Sequence, residues 1–107
     1  VKNDFEQLLF AAENVRDMFY FLSDSDKVNS ALYKQAKKSV GIFNREIKSK
    51  SKELQYEIMS DYGFILTFSI ELPDREILLF NKTTLEQEIA KIEGFIERLR
   101  FFVDSKK

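Results

Sequence analysis

Phe5, Leu8, Leu9, Ala12, Val15, Phe19 and Leu22 recur at steps of three and four, the spacing that gathers side chains on one stripe of an α-helix. The pattern predicts a first helix from Asn3 to Leu22. Ser23, Asp24, Ser25 and Asp26 follow as turn and cap residues whose short side-chain oxygens can take the orphan amides of a second helix, expected to start near Asp26. Val28, Leu32, Ala36, Phe43 and Ile47 hold one apolar face along it, and Gly41 lowers its propensity without shifting its register. The polar run from Lys48 to Lys52 brings it to an end, with basic residues suited to the negative pole of the helix dipole.

At Glu53 the period changes. Leu54, Tyr56 and Ile58 alternate with Glu53, Gln55 and Glu57, and beyond a turn at Ser60-Asp61-Tyr62-Gly63 the residues Phe64, Leu66, Phe68, Ile70 and Leu72 alternate with Ile65, Thr67, Ser69 and Glu71. Two half-buried strands are expected, and a further turn at Pro73-Asp74-Arg75 lets residues 76–80 pair back as a third. In the competing reading the second helix runs to about Tyr62 and stops at Gly63, since Leu54 and Ile58 also fit a helical i, i+4 spacing, and a lone two-stranded ribbon remains beyond it. Thr84 and Gln87 then form a capping box, and Leu85, Ile89, Ile92, Ile96, Leu99 and Val103 repeat in steps of four and three. This predicts a last helix over residues 85–103, facing either the core or a homodimeric seam.

The expected fold is therefore α+β: two N-terminal helices, a short three-stranded antiparallel meander and a C-terminal amphipathic helix, with an all-α bundle containing a long second helix as the alternative. The expected core is Leu8, Val15, Phe19, Leu32, Phe43, Phe68, Ile70, Ile92, Ile96 and Leu99.

Length and composition narrow the chemistry. The 107 residues suit one compact domain, and no repeat or linker divides residues 1–107. Beginning at Val1, the chain reads as a processed product, the remnant of a cleaved tag or a domain excised from something longer. It contains no His, Cys or Trp, which removes imidazole and thiolate zinc sites and the usual Ser or Cys nucleophile with an imidazole base. No Gly-rich phosphate loop or nucleophile elbow occurs, no cofactor or metal is implied, and the expectation is a non-enzyme. No apolar run is long enough to span a membrane, so a soluble, cytoplasmic protein with no membrane partner is expected.

A net charge of −1 hides a strong polarity. Lys27, Lys34, Lys37, Lys38, Arg45, Lys48, Lys50 and Lys52 face only Glu46 between residues 27 and 52, a local +7 against −8 elsewhere. All but Lys50 fall within an arc of about 100° opposite the apolar face. Lys34, Lys37, Lys38, Arg45, Lys48 and Lys52 are thus candidate anion-binding residues, or else an ordinary solvated helix face. The stripe lacks the aromatic and amide residues that stack on or read bases, so nucleic acid would be bound by its backbone alone.

Eleven Phe are more than three apolar stripes require. Phe10 and Phe21 lie about 140° and 160° from Phe5 yet in line with each other, and Phe101 lies across its helix from the heptad positions. Either a sheet covers them or a partner does. The primary functional expectation is a protein-interaction module in which Phe10, Phe21 and Phe101 bind a protein partner or a second copy; the alternative is sequence-independent binding of nucleic acid or another polyanion through residues 27–52. Glu86, Glu93 and Glu97 share a flank of the last helix, where Glu93 and Glu97 could hold a divalent cation, but Arg100 three residues beyond Glu97 suggests a surface ion-pair ladder instead. Asp61, Asp74 and Asp104 fit turn and end roles.

Overall fold

A computed structural model describes residues 2–24, 29–54 and 63–105. Among them the chain forms five helices and no strand: α1 (Lys2–Asp24), α2 (Ser30–Leu54), α3 (Gly63–Leu66), α4 (Arg75–Phe80) and α5 (Thr83–Ser105). The expectation of an α+β fold is therefore wrong: the described residues are all-helical, as the alternative has it, while the extension of the second helix to Tyr62 lies outside the described residues.

The three long helices follow their stripes. Phe5, Leu8, Ala12, Val15, Phe19 and Leu22 of α1 are buried, as are Ala36, Val40, Phe43, Ile47 and Leu54 of α2 and Leu85, Ile89, Ile92, Phe95, Ile96, Leu99 and Val103 of α5. Eight of the ten expected core residues are fully buried, while Leu32 and Phe68 pack partly buried against them. The start of α2 lies later than expected: Asn29 Oδ1 accepts the amides of Ala31 (2.7 Å) and Leu32 (3.2 Å), the N-cap geometry that opens a helix at Ser30. Asp26, Lys27 and Val28 lie outside the described residues. At α5, Asn81 Oδ1 accepts the Thr83 amide (2.8 Å), so the helix begins before Thr84 and the Thr84–Gln87 pair sits inside its first turn rather than capping it.

The meander is replaced by local hydrogen bonding. Glu53 and Leu54 finish α2, and the rest of the first expected strand lies outside the described residues. Where the second was expected, Gly63 O accepts both the Thr67 amide (3.1 Å) and its hydroxyl (2.7 Å), closing a helical turn that buries Ile65 and leaves Leu66 exposed. The third folds as α4, with Leu78 N–H donating to Asp74 O (3.1 Å) and Asn81 N–H to Ile77 O (2.9 Å). A short ribbon is marginal in water without a broad apolar face to pack on, whereas each of these turns completes its own hydrogen bonds.

Residues 63–82 have a topological task. Phe5 meets Phe102 at one end of α1 (ring centroids 5.1 Å), and at the other Tyr20 bonds Glu93 and Lys82 Nζ donates to Ser23 O (3.1 Å), so α1 and α5 are antiparallel. Lys50 of α2 lies over the Phe5 ring, which makes α1 and α2 antiparallel as well. Hence α2 and α5 run the same way, and the chain must return along the bundle between them. It does so through α3, the irregular stretch 67–74 and α4, anchored by Tyr33 hydroxyl donating to Pro73 O (2.9 Å). The return inserts Phe68 between the long helices, stacked on Phe95 (4.2 Å) and edge-on to Phe43 (5.9 Å), while Phe43 meets Phe95 edge-on at 5.6 Å. Phe64 extends the aromatic run to Phe102 (6.1 Å). Six of the eleven Phe belong to this continuous run, Phe19 is buried apart from it, and four remain on the outside.

Candidate functional site

Two outer faces of the bundle concentrate chemistry. The first is the back of α2. Burying Ala36, Val40, Phe43, Ile47 and Leu54 fixes the rotation of this helix and turns the opposite side to solvent. At about 100° per residue, an arc of about 100° whose centre lies roughly 40° from the point opposite the buried residues contains Ser30, Lys34, Lys37, Lys38, Gly41, Arg45, Lys48 and Lys52 and nothing else from α2. Every one is exposed. From Lys34 to Lys52 the six cations span roughly 27 Å of helix axis. None of the six makes an ion pair among the described residues, because the acidic residues of α2, Glu46 and Glu53, lie on its flank toward α1. Lys27 is outside the described residues. Lys50 is turned inward: its ammonium is buried, pairs with Glu53 (3.0 Å) and sits 5.8 Å from the centre of the Phe5 ring.

The second face is the outside of α1. Phe10 is 67% exposed and Phe21 is 58% exposed, on the same side of the helix. Phe10 also lines an open groove of about 670 Å³ between α1 and α2, with Ala11, Ile42 and the rims Glu6 and Glu46. Ile42 is itself 43% exposed. Phe101 is 77% exposed but stands on the outer face of α5, so the structure brings Phe10 and Phe21 together and leaves Phe101 apart. Among the described residues there is no sheet to cover any of the three.

The composition pointed to none of α4's exposed residues. Phe80 is 92% exposed beside exposed Ile77 and Leu79, because a helix of six residues can bury one side only and here that side is Leu78. In the sequence these residues form an uninterrupted apolar run over 77–80, a pattern that a short buried strand shares.

The acidic flank of α5 is used for packing. Tyr20 hydroxyl donates to Glu93 (2.6 Å), and this bond to the carboxylate raises the phenol above its ordinary pKa. Arg100 donates to Glu13 of α1 and not to Glu97, which corrects the expected ladder along α5. Among the described residues no three acidic side chains gather into a cation site, and no helix is long and apolar enough to cross a membrane. Scans against protein-family models, curated proteins and solved structures found no match.

Proposed function

We propose that the chain is a non-enzymatic protein-interaction module that self-associates through the outer face of α1, in a cytoplasmic setting that a cysteine-free fold tolerates. The observation that carries this reading is the spacing of Phe10 and Phe21. Eleven residues are close to three whole turns, so the two rings project from one side of α1, roughly 16 Å apart along its axis. Two such helices laid antiparallel about a two-fold axis between residues 15 and 16 set each Phe10 against Phe21 of the second copy. The same register sets each Asn14 against Asp17. An isologous interface requires this self-complementarity.

Phe10 and Phe21 together expose roughly 250 Å² of ring surface per chain, taking about 200 Å² for a whole Phe. Doubled in a dimer, this is about half of the ~1,000 Å² a specific interface needs, and Ile42 with the polar residues around it supplies the remainder. A reversible dimer of roughly micromolar affinity is expected.

Sedimentation equilibrium between about 1 µM and about 1 mM should show a monomer-dimer equilibrium. The double variant Phe10→Ser/Phe21→Ser should be monomeric with unchanged helicity. Because the chain has no native Cys, mixing Asn14→Cys with Asp17→Cys chains should trap a disulfide between unlike copies. A wild-type monomer at the highest concentration overturns the reading.

A further inference from the structure

The back of α2 plays no part in that self-association, and its composition is one-sided. Six cations, Ser30 and Gly41 fill the outward arc of a 25-residue helix. We propose that this face binds the phosphodiester backbone of a double-helical nucleic acid without reading its sequence.

Three features select that ligand. The face lies on one continuous helix and runs about 27 Å between Lys34 and Lys52, comparable to the phosphate rows of a duplex over about eight base pairs. It carries no aromatic ring, so it offers a single strand nothing to stack on. It carries no apolar side chain either, and the apolar side of α2 is buried in the bundle, so there is nothing to insert into a bilayer.

Gly41 adds a local detail. It sits in the middle of the cationic arc, it has no positive φ, and a Cβ built there meets nothing within 4 Å. Neither packing nor backbone conformation calls for glycine at this point, where it costs the helix about 1 kcal/mol relative to Ala. Its effect is a notch between Lys38 and Arg45 through which a phosphate can approach the helix backbone. The rest of the chain carries a net −8, a charge asymmetry that favours approach of a polyanion from the α2 side.

The test is a fluorescence-anisotropy titration of the full chain against mixed-sequence duplexes of about 20 base pairs, one of DNA and one of RNA, with single strands and phosphatidylserine vesicles in parallel. Engagement of about four to six phosphates predicts binding that weakens roughly 10²- to 10³-fold between about 50 mM and about 200 mM salt. Single strands should bind more weakly than duplexes, and the DNA and RNA arms identify the natural helix. Replacing Lys34, Lys38, Arg45 and Lys48 by Gln, which preserves helix propensity, should abolish binding while circular dichroism stays unchanged. The Phe10→Ser/Phe21→Ser variant should bind duplex as the wild type does, so failure of either proposal leaves the other standing. Absence of duplex binding at the lower salt, a Gln variant that binds as well as wild type, tighter binding of single strands, or vesicle binding without duplex binding overturns the inference.

Discussion

Where α5 meets its neighbours, cations find partners: Arg100 meets Glu13 of α1, Lys91 meets Glu88 within α5 (2.9 Å), and Arg98 lies over the Phe64 ring at 4.5 Å. Along the outer face of α2, six cations meet no acid among the described residues. The cause lies in how the helices are written. On α1 and α5 acids and bases are interleaved, and antiparallel packing brings the flanks of both within reach. On α2 Glu46 and Glu53 lie on one flank and every cation but Lys50 lies away from the buried face, so folding leaves the back of α2 charged. A charge already paired has little left to offer a ligand, while a row of solvated cations releases counterions from any polyanion it meets. The faces that packing leaves over are therefore the ones with charge and apolar surface still free to bind.

The comparison is broken most severely by removing what both regions stand on. Phe43 is fully buried and packs against Phe68 and Phe95, so Phe43→Ala should cost about 3–5 kcal/mol in urea or thermal unfolding. A loss below about 1 kcal/mol would show that the return segment does not pack as described. Next in size is a contrast within α2. Lys50→Glu places a carboxylate in a buried position beside Glu53 and should cost about 2–3 kcal/mol. Lys48→Glu, two residues away on the exposed face, should stay within about 0.5 kcal/mol.

Smaller effects sharpen the picture. Gly41→Ala meets no neighbouring atom and should stabilise by about 0.5–1 kcal/mol, read as a raised Tm. The least effect is expected from alkaline titration. The Tyr20 phenol is raised by its bond to Glu93, and the Tyr33 phenol by burial and then by the charge of Asp74. A folded-state value above the unfolded one favours folding while the phenol is protonated. That contribution is intact below the ordinary tyrosine value of about 10 and is lost as pH rises through the raised values. Tm should fall less steeply above pH 10 in a Tyr20→Phe/Tyr33→Phe variant than in the wild type.

Sequence periodicity revealed the long helices because each must bury a continuous stripe, and a 3.6-residue repeat over twenty residues has no competing explanation. It also separated Lys50 from the other cations, since a helix fixed by its buried face leaves no freedom to its back. Alternation misled between Phe64 and Leu72. From Phe68 to Leu72 burial does alternate, with Ile70 buried and Ser69 and Glu71 exposed. The pattern reports which side chains face the core and says nothing of a partner strand. For Phe64 to Leu66 the alternation was accidental, and burial of Ile65 shows it. Nor could one-dimensional spacing foresee Glu13 beside Arg100, two residues 87 apart in sequence that meet only because their helices lie antiparallel.

The contrast between paired and unpaired cations is tested most directly by following backbone amide shifts in an NMR titration with duplex at low salt. Shifts confined to the α2 arc of Lys34, Lys37, Lys38, Gly41, Arg45, Lys48 and Lys52, with Lys91, Arg98 and Arg100 unmoved, are the expected result. Shifts centred on the α1 and α5 cations, or none on α2, would contradict it.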